Sequence, residues 1–205
     1  ALAFSVDGQR LFTGSDDGHL SSFAATGSRE LLNRTRAHDE FLSSLCTTTD
    51  GQYVATASWR DKAIKLWKAD TLDIEPTLVG HTREVMCVVA TEKDIPMLVS
   101  ASMNRTIKIW HLKRYQEIRT LEGHEGCVNS VAVSDDQKHI ISGGSDRIVR
   151  LWCFHTGKLI SCFEGHTESI RWVYIIQQRP NLVQFFQWVI VWRQREMTKV
   201  NDVLT

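Results

Sequence analysis

Several familiar features are missing from this sequence. Its five cysteines (Cys46, Cys87, Cys127, Cys153 and Cys162) form no CxxC pair and are odd in number, so neither a disulfide framework nor a zinc module is indicated. Reduced thiols are expected, and with them a cytoplasmic, intracellular setting that does not exclude the nucleus. There is no excess of charge. The 24 Lys and Arg balance the 24 Asp and Glu, which removes the basic surplus of a chain built to hold phosphate backbones, so no nucleic-acid partner is expected. The opening residues ALAFSVDG show no charged region followed by an apolar core, so no secretory leader is read there. The longest uncharged apolar candidate, residues 180–192, carries Asn181, Gln184 and Gln187 and falls short of the roughly 20 apolar residues a spanning helix needs. No membrane span is expected. Prolines are few, three against seven tryptophans, and it is the tryptophans that need explaining. At 42% hydrophobic and 23% charged residues, the chain can form a sizeable core and is not expected to be wholly disordered.

The tryptophans belong to a repeat. His38, His81, His124 and His166 are spaced by 43, 43 and 42 residues, and the last three follow Gly80, Gly123 and Gly165. Trp67, Trp110 and Trp152 each lie 14 residues before the next histidine, with Phe23 in the same column 15 before His38. A fixed period of this length indicates one supersecondary unit used repeatedly. Within the unit, short alternating apolar and polar runs are punctuated by Asp-Asp-Gln, Gly-Gly-Ser-Asp and Thr-Gly, which predicts four strands, at 128–133, 138–143, 148–152 and 158–163 in the clearest copy. No unit contains ten residues of helical periodicity, so helical repeats are excluded and the architecture is expected to be all-β.

A 43-residue period with a Gly-His start, a Ser-Gly-Ser-x-Asp-like turn and a tryptophan closing the third strand resembles the WD-repeat β-propeller family over residues 1–166. The resemblance implies radial blades of four antiparallel strands. The units are read as 1–36, 37–79, 80–122, 123–164 and a degenerate or aberrant fifth, 165–205. The eponymous Trp-Asp pair is absent: Lys68, His111, Cys153 and Arg193 follow Trp67, Trp110, Trp152 and Trp192. Trp192 is expected to mark a fifth third strand. The run NLVQFFQWVIVW has neither the Ser/Thr nor the turn Asp of the other units, so either that blade is degenerate or the residues from about Trp172 are not the native continuation. Seven such blades would need roughly 300 residues, so the chain reads as an incomplete propeller of four recognisable blades plus the fifth.

Ser/Thr, His and Asp in every unit are also the parts of a nucleophilic triad, but a triad is not needed once per 43 residues. The resemblance implies instead a buried hydrogen-bond chain in each blade: His38, Thr56, Asp61 and Trp67; His81, Ser100, Asn104 and Trp110; His124, Ser142, Asp146 and Trp152. Indole N–H only donates, hydroxyl and imidazole do both, and carboxylate accepts, so the four groups can satisfy one another. Asn104 keeps an acceptor but loses charge assistance, which is expected to soften the third blade. The first unit has Thr13 and Asp17, with Phe23 for the tryptophan.

No catalytic, metal or cofactor site is read, and the expected role is a non-catalytic scaffold binding other proteins or peptides within a larger complex. Residues flanking the histidine loops and turn acids would line one rim, where Phe41, Trp59 and Arg60 supply types that anchor interfaces, with Glu84 and Met103 beside them. Trp59 packing over a neighbouring blade is the structural alternative. Arg60, Lys62, Arg83, Arg105 and Arg147 leave room for a phosphorylated or acidic segment, diluted by Asp16, Asp39, Glu40, Glu84 and Glu125. Some members of the family act as cullin-ligase substrate receptors through Trp-Asp-x-Arg; Trp192-Arg193-Gln194-Arg195 approaches it without the Asp. The alternative role is a regulatory or sensor module of a larger signalling ATPase or kinase.

Overall fold

The computed structural model describes residues 1–91, 96–176, 188–192 and 197–200. Four sheets each take four strands in simple up-and-down order, as the turn-punctuated alternation predicts. The first holds β1 (Leu2–Phe4), β2 (Arg10–Gly14), β3 (His19–Ala24) and β4 (Leu31–Arg36); the second β5 (Leu42–Thr47), β6 (Tyr53–Ser58), β7 (Ala63–Lys68) and β8 (Leu78–Val79). The third holds β9 (Val85–Ala90), β10 (Met97–Ser102), β11 (Ile107–His111) and β12 (Gln116–Leu121). The fourth holds β13 (Val128–Val133), β14 (His139–Gly144), β15 (Val149–Cys153) and β16 (Leu159–Phe163). Their bounds lie within one residue of those read from the sequence. A fifth sheet joins β17 (Trp172–Ile176), β18 (Trp188–Trp192) and β19 (Met197–Val200).

This fifth sheet corrects one expectation. Trp192 does not mark a third strand: it ends β18, which pairs directly with β17, Trp192 opposite Trp172. WVIVW pairs with the blade's first strand and so takes the second-strand place. The segment NLVQFFQ before it lies outside the described residues.

The first strands β1, β5, β9, β13 and β17 lie side by side in sequence order, so consecutive blades pack face to face. The core is therefore between blades, not within them. Phe12 and Leu20 of the first blade meet Leu42, Leu45, Val54 and Trp67 of the second. Ala55, Ile64 and Leu66 meet Val85, Val88, Leu98 and Trp110; Val99, Ile107 and Ile109 meet Val128, Val131, Ile140 and Trp152; Ile141, Val149 and Leu151 meet Ile170 and Val173. Each third-strand tryptophan thus seals its blade against the preceding one. Burying one indole removes on the order of 200 Å² from water, about 5 kcal/mol.

The same frame shows what the first blade lacks. Leu2 occupies the position of Leu45, Val88 and Val131, which the preceding blade buries, yet Leu2 is 69% exposed. The flank it belongs to is an uncovered blade face. The Gly of two of the Gly-His pairs, Gly80 and Gly123, also has a packing reason. A Cβ on Gly80 would lie 3.0 Å from the Trp110 ring, and Gly123, at φ +138°, lies under the Trp152 ring edge.

Candidate functional site

The repeated polar residues come together in each complete blade as one chain of hydrogen bonds. In the second blade Trp67 Nε1 donates to Thr56 Oγ1 (2.9 Å), which meets His38 Nε2 at 2.8 Å, while His38 Nδ1 faces Asp61 Oδ2 at 2.6 Å. The fourth blade repeats it: Trp152 to Ser142 (2.8 Å), Ser142 to His124 (2.7 Å), His124 to Asp146 (2.8 Å). In the third, Trp110 to Ser100 (2.8 Å) and Ser100 to His81 (2.7 Å) are kept, but His81 Nδ1 lies 3.3 Å from Asn104 Oδ1. Because the indole can only donate, the hydroxyl proton is left for His Nε2, and Nδ1–H then points at the carboxylate or amide oxygen. One direction of donation accounts for the second and third blades, while in the fourth Arg150 Nη1 also lies 2.7 Å from His124 Nδ1.

Burial rules out the triad reading of these groups. Thr56, Ser100 and Ser142 are fully buried and each hydroxyl is held between an indole and an imidazole, so none faces a substrate. Burial pushes the His38 imidazole pKa down against the pull of Asp61, and pushes His81, lacking a carboxylate and near Lys108, down to about 4. Burial would raise Asp61, but bonds from Lys65 and His38 outweigh it and hold the carboxyl low; at Asp146 bonds from His124 and Arg150 do the same. Side chains buried and bonded to one another in this way make a structural network.

Lys65 and Arg150 were not singled out by sequence. Each sits four residues after its turn acid: Lys65 Nζ lies 2.9 Å from Asp61 Oδ2, and Arg150 pairs with Asp146. A cation at that fixed offset was the available signal. Lys108, at the same offset in the third blade, finds Asn104 there and turns to Glu117 and Thr120, both at 2.7 Å. In the first blade, with no preceding histidine, Asp17 takes Ser15 and Arg34 as partners, and the Ser15 hydroxyl leads in holding its carboxyl at about 2.

The turns carrying these acids place the rim residues. Each closes on a left-handed residue, Gly18, Lys62, Arg105 or Arg147, and hydrogen-bonds the loop after the histidine: Trp59 N–H to the Phe41 carbonyl (3.4 Å), Met103 N–H to Glu84 (2.9 Å), Ser145 N–H to Cys127 (2.9 Å). The structure therefore brings Phe41 to Trp59 and Glu84 to Met103. The Phe41 and Trp59 rings form a tilted pair, centroids 5.4 Å apart, and are 39% and 48% exposed. Arg60 pairs with Glu40, and Arg83 lies 3.3 Å from Glu84, so two of the five rim cations already face carboxylates. Among the described residues no group of three or more His, Cys, Asp or Glu could hold a metal, and no helix is long and apolar enough to cross a membrane.

Consecutive four-stranded blades, packed face to face, with a Trp–Ser/Thr–His–Asp chain in the second and fourth and its Asn104 variant in the third, define a β-propeller repeat protein. The chain belongs to the WD40 family: the model for the WD domain, G-beta repeat, matches residues 1–28, 29–68, 73–111 and 115–153. The last three matches end on the residue after Trp67, Trp110 and Trp152. Similar proteins include a bromodomain and WD repeat-containing protein of Dictyostelium discoideum, 29% identical over 66% of this chain and 7% of that protein. Nuclear distribution protein PAC1 of Ajellomyces capsulatus is 32% identical over 55% of this chain and 23% of its own length. A DDB1- and CUL4-associated factor 11 homolog of Caenorhabditis elegans is 26% identical over 63% of this chain and 23% of its own length. The chain thus spans less than a quarter of each of these relatives.

Proposed function

We propose that this chain is a non-catalytic scaffold, part of a multiprotein complex, that takes partner proteins or peptides at the rim formed by Phe41, Trp59, Arg60, Glu84 and Met103. The observation that carries the reading is the exposed Phe41–Trp59 pair. The repeated tryptophans Trp67, Trp110 and Trp152 go into the seams between blades, whereas these two rings are exposed and contact each other. Exposed aromatic and Arg side chains held on a rigid turn are the groups that anchor interfaces. The repeated Ser/Thr, His and Asp residues of the second and fourth blades bond to one another within the fold. The five free thiols accord with a cytoplasmic or nuclear setting.

The test is site-specific photo-crosslinking in cell extract, with the probe at Phe41 or at Ile118 on the outer strand β12. Discrete protein adducts are expected at position 41 and not at 118; equal labelling at both positions would remove the rim from consideration. A second reading, a regulatory propeller module within a larger multidomain protein, is favoured by the small share of the Dictyostelium discoideum relative that this chain matches. Within it, the similarity to the DDB1- and CUL4-associated factor 11 homolog supports a substrate-receptor role at the same rim, tested by competition with phosphorylated and unphosphorylated peptides.

A further inference from the structure

The four-stranded blades differ at their outer edges. β4, β8, β12 and β16 each close a sheet and are bonded on one side only among the described residues, so each leaves a row of backbone N–H and C=O groups open to pairing. Charged side chains within the strand, or a very short strand, keep such an edge from pairing. β4 carries Arg34 and Arg36, β12 carries Glu117 and Arg119, and β8 is two residues long. β16 has five residues and no charge. Its Leu159 and Ile160 are 46% and 52% exposed, and Cys162 is the exposed one of the five thiols. A bulge at Ile160, between Leu159 opposite Trp152 and Ser161 opposite Leu151, does not set β16 apart, because β4 and β12 skip Leu32 and Ile118 in the same way. What distinguishes β16 is the absence of charge.

The run from Lys158 to Glu164 is also its own antiparallel complement. A two-fold axis at Ser161 sets Lys158 opposite Glu164 of a second copy, Leu159 opposite its Phe163, Ile160 opposite its Cys162, and Ser161 opposite its counterpart. Lys158 and Glu164 are both exposed. Opposite charges therefore meet at each end of the pair, with apolar side chains between them. Cross-strand pairs of these kinds stabilise an antiparallel ladder, and like charges facing each other weaken it. A contact of this symmetry is isologous, so it closes at two copies.

We propose that β16 pairs antiparallel with β16 of a second copy of this chain, joining the two fourth-blade sheets into one continuous sheet. The charge pattern from Lys158 to Glu164 selects both the occupant and the register. The contact lies on the fourth blade, whereas Phe41 and Trp59 belong to the second, so it stands whether or not the rim takes a partner.

Sedimentation of the purified chain at increasing concentration is expected to show a monomer–dimer equilibrium. A short bis-maleimide is expected to link Cys162 to Cys162 of the second copy, diagonal neighbours about 7–8 Å apart in this register. Ile160→Lys puts a charge inside the edge and should abolish both signals. Glu164→Lys sets like charges opposite each other at both ends of the pair and should weaken dimerisation about tenfold, whereas Lys158→Glu combined with Glu164→Lys should restore it. The substituted side chains are exposed, and circular dichroism checks that each variant keeps its fold. A chain that stays monomeric at every concentration would overturn the proposal and leave the edge to a strand of another protein. Association that survives Ile160→Lys, as contact through the uncovered Leu2 face would, overturns it too, as does a charge swap that fails to restore what Glu164→Lys removes.

Discussion

Ser100→Ala removes the centre of one network and tests what such a network contributes. Ser100 Oγ accepts from Trp110 Nε1 at 2.8 Å and meets His81 Nε2 at 2.7 Å. All three side chains are buried, Ser100 fully so. Alanine leaves an indole N–H and an imidazole nitrogen without partners where water cannot reach them. At about 1–3 kcal/mol for each of the two stranded groups, the loss comes to about 2–6 kcal/mol. That is a large part of the stability of an ordinary domain. Urea denaturation followed by tryptophan fluorescence reads it directly, because Trp110 is one of the reporters. Ser145→Ala on the exposed turn of the fourth blade is the control and should stay within about 0.5 kcal/mol of the parent. A Ser100→Ala loss as small as the control's would refute the claim that the repeated hydroxyl, imidazole and indole stabilise the blade as a unit.

Two further outcomes follow from the same groups. His38 and His81 titrate below the ordinary histidine value, His81 at about 4, so the folded chain binds fewer protons than the unfolded one. Their contribution is complete above about pH 6.5 and is lost as pH falls toward 4, after which the depressed Asp61 and Asp146 carboxyls lose theirs. Thermal melts should therefore decline steadily from pH 7 to 4.5, and a midpoint flat over that range would contradict the assignment. Asn104→Asp should give His81 Nδ1–H a charged acceptor and Lys108 the partner that Lys65 and Arg150 already have. It should stabilise the third blade by about 1 kcal/mol and raise the His81 midpoint measured by NMR; an unmoved midpoint would count against it.

The architecture was legible in the sequence because the signals that fix it are local or repeated. Period-two alternation bounded by turn residues located β13 to β16 to within a residue, and the family resemblance implied the four side chains that bond to one another in each of the three blades. The misplacement of Trp192 has the opposite origin. A tryptophan was assigned to a strand by spacing alone in a stretch where the turn chemistry is missing, and pairing with β17 decided its place instead. The hydrogen bonds that Ser43, Ser44, Asn129 and Ser130 make to the next blade went unseen because their partners lie about 43 residues away and are backbone groups that no side-chain pattern announces. The Phe41–Trp59 contact was half legible. The extra turn residue between Thr56 and Asp61 marked Trp59 as unusual, while the stacking itself depends on how that turn folds over the histidine loop.

The account separates residues that hold the blades from residues that meet partners, and Trp59→Ala combined with Arg60→Ala tests that separation most directly. Partner capture should be measured by pull-down alongside thermal melting of the same preparation. The account predicts weakened capture with the melting midpoint within about 2 °C of the parent, since both side chains are exposed and neither belongs to a network. Unaltered capture, or an unfolded double variant, would contradict it.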